Sequence, residues 1–270
     1  MPDPVTTLRG VIAPGSESPP ATTLPVTTLP VTTLPVTTLL ALETAGSHCS
    51  AAVLRDAVVL AAECRKLRHG HAEALLPMVE RVMAAAGLPP SRLAAVAVAV
   101  GPGGFTGIRV GLAAAHGIAL ALGVRLMGVS SFAAVAAGLL ESGRFAGCDR
   151  LLVALDSRRA DLYVQLFACD SAAPLAAPQA VLPARLADYL AGVGGGGRLL
   201  IAGDAADAAA AALGECCGVT LASDAVPDAL GVAAAALSEG RAGIAGGPVR
   251  PLYLRPPDVT LPPRRPRTPA

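Results

Sequence analysis

The residues Gly101-Pro102-Gly103-Gly104-Phe105-Thr106-Gly107-Ile108-Arg109-Val110-Gly111 carry an apolar run into a helical one. Such a junction leaves backbone N–H groups at a helix start, where an anion can be received. Gly101, Gly103, Gly104 and Thr106 are therefore candidate anion- or nucleotide-binding residues, with Thr106 expected to cap a helix from Gly107 to about Leu122. The alternative use of the glycines is to let that helix approach a sheet closely. Two familiar phosphate fingerprints do not fit: the dinucleotide pattern needs glycine where Thr106 stands, and a Walker A loop needs an absent lysine. Arg109 falls in the first helical turn, where the dipole disfavours a cation by up to about 1 kcal/mol. A carboxylate, a phosphate or solvent must compensate, and Glu43, at the end of a neighbouring strand, is the preferred partner.

Other chemistry is scarce. The six cysteines form no C-x-x-C pair and the four histidines no H-E-x-x-H or H-x-x-x-H spacing, so no metal site is expected and the thiols read as buried and reduced. No Ser-His-Asp or Cys-His set is suggested by spacing. His69 and His71 lie two apart near a helix start and so point to different faces.

The elements that must position these residues follow from hydrophobic periodicity. Leu39 to Glu43, Cys49 to Leu54 and Val58 to Glu63 read as consecutive strands. His71 to Ala86 reads as a helix with Leu75, Val79, Val82 and Ala86 on one face, and Pro77 is expected to kink it or remove its first turns. Leu93 to Val100 and Arg125 to Val129 are further strands. Beyond Arg150, Leu151 to Asp156 and Asp161 to Ala168 form a hairpin turning at Ser157-Arg158-Arg159. Arg198 to Ala202 is a strand, and helices follow at Ala205 to Leu213 and Pro227 to Glu239.

Composition bounds the rest. The 270 residues are 53% hydrophobic but only 3% aromatic, enough for one or two cores. A net charge of +1 creates no long-range field toward nucleic acid. The longest stretch resembling a membrane helix, Val110 to Val124, spans about 22 Å against the roughly 30 Å of hydrocarbon. No secretory signal pattern opens the sequence, and the expected location is cytoplasmic. Residues 1–35 carry VTTLP repeats whose recurring prolines forbid a ladder or a helix; they read as a disordered low-complexity extension or an exposed recruitment tail. Residues 256–270 form an Arg/Pro-rich tail.

The glycine string resembles the GPGSFTGxRxG signature of the TsaB (YeaZ-type) family, which serves the bacterial synthesis of threonylcarbamoyladenosine in tRNA. LLALETAGSHCSAAVL, HAEALLPMVERVMAAAGL and PLYLR at Pro251 to Arg255 match in the same order. The resemblance implies an α/β chain of two lobes with the actin-like, sugar-kinase and Hsp70 fold, the lobes spanning 36–142 and 143–255. In nucleotide-binding members of that superfamily an acidic residue closing the first strand positions metal and phosphate. Glu43, beside Thr44, holds that place, unless the two simply begin a polar turn.

The implied function is that of a non-catalytic subunit activating TsaD in threonylcarbamoyl transfer to the tRNA adenosine next to the anticodon. The ATPase TsaE joins the pair, and TsaC-type enzymes supply threonylcarbamoyl-adenylate. TsaD carries a metal-binding histidine pair that has no counterpart here. No cofactor is required of this chain, ATP and Mg²⁺ being used through its partners, and tRNA is reached only through the complex. In TsaB proteins two helices meet TsaD or a second copy. The expected interface is then His71, Leu75, Leu76, Val79, Val82 and Met83 on the first helix and Gly107, Gly111 and Ala115 on the second, with internal core as the alternative. Competing functions are a nucleotide-dependent phosphotransferase or ATPase and, more remotely, a peptidase.

Overall fold

A computed structural model describes residues 38–145, 147–194, 196–214, 218–241 and 249–255. The expectations for residues 1–35 and 256–270, and those for Cys216 and Cys217, lie outside the described residues.

The first sheet is built from β1 (Thr38–Glu43), β2 (His48–Arg55), β3 (Val58–Lys66), β4 (Ala95–Gly101) and β5 (Arg125–Ser130), in the order β3-β2-β1-β4-β5. β1 runs antiparallel to β2, with Leu40 opposite Val53 and Leu42 opposite Ala51, and parallel to β4. Every residue of β1 is buried, because helices cover both faces of the central strand. On one side lie α1 (His71–Ala85) and α2 (Phe105–Leu122); on the other, α6 (Ala229–Arg241) packs against β1, β2 and β4.

The second sheet comprises β6 (Arg150–Asp156), β7 (Leu162–Ala168), β8 (Gln179–Val181), β9 (Leu199–Ala202) and β10 (Val219–Ala222), ordered β10-β9-β6-β7-β8. Its pairing repeats that of the first sheet: two antiparallel neighbours on one side of the central strand, two parallel on the other. α4 (Leu186–Val193) and α5 (Ala206–Leu213) cover one face. The repeated order is the two-lobed actin-like arrangement that the sequence led us to expect.

α3 (Ser131–Glu141) joins the lobes. Ser130 caps it by accepting from Ala133 N at 3.0 Å. Ala134 and Ala137 face the first core, while Phe132, Val135, Ala136 and Leu139 face the second, so its sequence is apolar all round.

Two expectations about elements are corrected. Of the two effects expected of Pro77, loss of the first turns does not occur: α1 keeps its first turn, with Ala74 N donating to Gly70 O at 3.0 Å, and continues past the exposed Pro77. The second lobe does not extend unbroken to residue 255. Val232, Ala233, Ala235 and Ala236 of α6 are buried in the first core, where Ala229 N donates to Ser50 Oγ at 2.9 Å. The following 249–255 segment also returns there, Leu252 N donating to Val100 O at 2.8 Å.

Candidate functional site

The glycine loop and the β1–β2 turn are one packed unit. Gly104 N donates to Ala45 O at 2.7 Å and Thr44 Oγ1 to Gly107 O at 2.7 Å. A Cβ at Gly103, Gly107 or Gly111 would strike Ala45 O, Thr44 O or Thr44 Oγ1 respectively. The glycines therefore bring α2 against the end of β1, the packing use that the sequence left open. Gly101, at φ +100, adopts a conformation that a side chain resists, and a Cβ there would meet Ile108.

Thr106 does not cap the helix. α2 begins at Phe105, two residues earlier than expected, after Gly104 at the N-cap position, and Thr106 is exposed in its first turn. Arg109 does not meet Glu43 either. Its guanidinium lies 3.5 Å from the centre of the Phe105 ring on the outer side of α2, whereas Glu43 is wholly enclosed behind the turn. The compensation for a cation in this turn is thus an aromatic face and solvent.

Glu43 is the unusual group. It is 0% exposed, and its Oε1 accepts from Ala45 N at 2.6 Å and Gly46 N at 2.9 Å, while Oε2 has no hydrogen-bond partner among the described residues. Burial pushes its pKa up to about 8 against the two backbone N–H groups that favour the anion, and the charges of Asp228 and Asp204 add to the rise. An enclosed carboxyl turned onto its own turn, its ionisation opposed by burial, is poorly placed to position metal or phosphate. No group of three or more His, Cys, Asp or Glu able to hold a metal ion occurs among the described residues. Cys49 and Cys169 are buried as expected, but Cys64 is exposed.

The expected partner face is also redistributed. Leu75, Val79, Val82 and Met83 lie in the first core, where they cover β2 and β3, and Ala115 and Gly111 are buried against the lobe's own sheet and turn. A charge at Val79 would therefore disrupt folding before any association. Leu76, 52% exposed, and the half-buried His71 remain at the surface of α1. Burial holds the His71 imidazole below its ordinary pKa, and Nε2 finds no partner among the described residues. On the adjacent α2 the exposed residues are Phe105, Thr106, Arg109, Ala113, His116, Gly117, Leu120 and Ala121, with Leu120 at 86%. Ala113, Gly117, Leu120 and Ala121, at spacings of three and four, make a short apolar stripe in the second half of α2, which the sequence reading missed because it assigned the glycine strip to that role. By length and composition the 18-residue α2 is apolar enough to cross a membrane, longer than the stretch anticipated; here it packs on β4 and β1.

Comparison with known proteins agrees with this geometry. A structure described as YeaZ from Pseudomonas aeruginosa superposes with a TM-score of 0.69 at 25% identity, covering 81% of this chain and 100% of that one. The TsaB protein of Escherichia coli is 34% identical over 125 residues, 46% of this chain and 52% of the relative. This chain resembles the TsaB/YeaZ proteins. The Bacillus subtilis TsaB is 31% identical over 130 residues, 48% of this chain and 54% of the relative. The chain thus spans about half the length of the curated TsaB relatives it matches. The family described as "TsaD: tRNA N6-adenosine threonylcarbamoyltransferase" matches residues 65–197, which run from the end of β3 into the second sheet.

Proposed function

We propose that this chain is a non-catalytic subunit that holds a TsaD-type transferase in its active arrangement during threonylcarbamoyl transfer to the tRNA adenosine beside the anticodon. The observation that carries this reading is the enclosed, inward-turned carboxyl of Glu43, at the position where a nucleotide-using relative of this fold needs an accessible anion. A chain that keeps the fold but closes that position fits a binding role better than a phosphotransferase or ATPase. The surface offered is made of the exposed apolar residues of these two helices, Leu76 on α1 and Gly117, Leu120 and Ala121 on α2, which meet either the transferase or a second copy of this chain. A TsaE-type ATPase would join the assembled pair, and ATP with Mg²⁺ would act through those partners.

The test is a paired titration. The isolated chain is expected to show no heat on addition of ATP and Mg²⁺ and to co-elute with its genome's TsaD-type protein. Tight binding of ATP and Mg²⁺ without co-elution would replace the subunit reading with the phosphotransferase one.

A further inference from the structure

A second surface, where the lobes meet, has a composition at odds with the rest of the chain. The sequence contains four phenylalanines, three tyrosines and no tryptophan. With so few rings, aromatic side chains would be expected in the cores. Yet Phe105 is 44% exposed, Tyr253 is 41% exposed, and the two rings stack on each other with centroids 5.6 Å apart and planes at 29°. Arg109 extends the stack with its guanidinium over Phe105.

Three separated pieces of sequence build this surface: the start of α2, the β6–β7 turn and the 249–255 segment. They enclose a cavity of about 160 Å³ that is also lined by Tyr163, Arg158, Arg159 and Arg255. Arg158 sits at φ +58, an uncommon conformation for a long side chain, fixed by its own N–H donating to Asp156 Oδ1 at 2.7 Å. The cavity continues past Gly104, Phe105 and Arg158 into a larger one of about 400 Å³, which reaches Arg68 and His71 at the start of α1. The carboxylates nearby are Asp156, Asp204, whose Oδ1 accepts from Asp156 N at 2.9 Å, Glu73 at the far end, and Asp161, whose charge is met by Arg255 at 2.9 Å. Among the residues that line the trough arginine exceeds acid, Arg68, Arg158, Arg159 and Arg255 against Glu73, although the whole chain is only +1.

Exposed flat rings, a planar cation stacked on one of them, and further guanidinium groups along a concave track are the parts that recognise single-stranded nucleic acid. Bases stack on the rings while the arginines follow the phosphates. We propose that this trough binds a single-stranded RNA segment directly, so that the chain itself contributes to substrate binding. The choice of RNA over DNA rests on the proposed role in tRNA modification; the stacking and charge arguments do not. The trough opens beside the starts of α1 and α2, so a strand lying in it runs next to the exposed Leu76 side of α1.

The experiment is fluorescence anisotropy of the full chain with a labelled, unstructured mixed-sequence RNA of about 12 nucleotides, within the site sizes of single-strand binders. Binding is expected to weaken steeply with salt, and Arg158→Ser to reduce the slope of log affinity against log salt by about 0.7. Tyr253→Leu is expected to weaken binding about tenfold at unchanged melting temperature, whereas Tyr253→Phe, which keeps the ring, retains it. Arg92→Ser, an exposed arginine before the start of β4, at the opposite end of that strand from the glycine loop and outside the trough's lining, should change nothing. The proposal is overturned by absence of RNA binding, by equal losses in Arg92→Ser and Arg158→Ser, or by equally tight binding of free AMP, which would make the trough a mononucleotide site. Loss of co-elution with TsaD in Tyr253→Leu would assign the patch to the partner contact and also overturn it. The subunit reading survives a failure of RNA binding, since co-elution tests it separately.

Discussion

Burial raises the pKa of the enclosed Glu43 carboxyl, which ties stability to pH in a defined direction. Its pKa stands at about 8 in the folded chain against an ordinary 4.5. A group raised in this way contributes its full stability below about pH 4.5, and that contribution is lost progressively as pH rises through about 8. Each pH unit in that window is worth about 1.4 kcal/mol, so between about pH 5 and pH 7.5 the loss amounts to roughly 3 kcal/mol. Glu43→Gln keeps the shape, keeps an oxygen for the N–H groups of Ala45 and Gly46, and has no proton to lose. Its amide NH₂ takes the place of the unpartnered Oε2, so neither side chain gains a hydrogen bond there. Urea denaturation of both proteins across this range is expected to give similar stabilities near pH 5 and a variant more stable by about 3 kcal/mol near pH 7.5. Burial also raises the pKa values of Asp204 and Asp228, a trend both proteins share apart from the part that comes from the charge of Glu43 itself. Parallel stability curves would mean that Glu43 is ionised in the folded chain, which would restore it as an anion fit to position metal or phosphate.

Further outcomes follow from the packing. Gly107→Ala drives a Cβ into the Thr44 carbonyl and should cost about 1–3 kcal/mol, whereas Gly117→Ala, with open space around it, should stabilise α2 by about 1 kcal/mol; thermal melts of the two measure the difference. Leu76→Glu and Leu120→Glu should melt like the parent and lose co-elution with the partner, whereas Leu75→Glu, in the core, should fail to fold. Arg255→Ala leaves the 2%-exposed Asp161 without its cation and should cost about 1–3 kcal/mol by urea denaturation, less than a fully enclosed pair because the arginine is 42% exposed.

Much of the fold was legible because it is local. The strand periodicities placed β1, β2, β4, β6 and β7 within a few residues, and the glycine string marked the β4–α2 junction. α3 was missed because both its faces are buried between lobes, which erases the amphipathic pattern a helix normally shows. The return of α6 to the first core was invisible for a different reason: its partners, Ser50 and Ala134, are far away in sequence. Around the site, residue types were readable but directions were not. Leu75 and Leu76 are adjacent and chemically alike, and only the tilt of α1 on β2 decides which of them is core. Arg109 was recognised as needing compensation, but Phe105, four residues before it on the same helix face, supplies that through its ring. An i, i+4 scan for aromatic partners would have found it.

The central claim is that this chain supports transfer without performing it. Purified chain, its genome's TsaD-type protein, and both together would each receive tRNA and threonylcarbamoyl-adenylate, with modified adenosine quantified after nuclease digestion. The account predicts no product from the chain alone and substantially more from the pair than from the TsaD-type protein alone. Modified adenosine formed by the chain alone would contradict it.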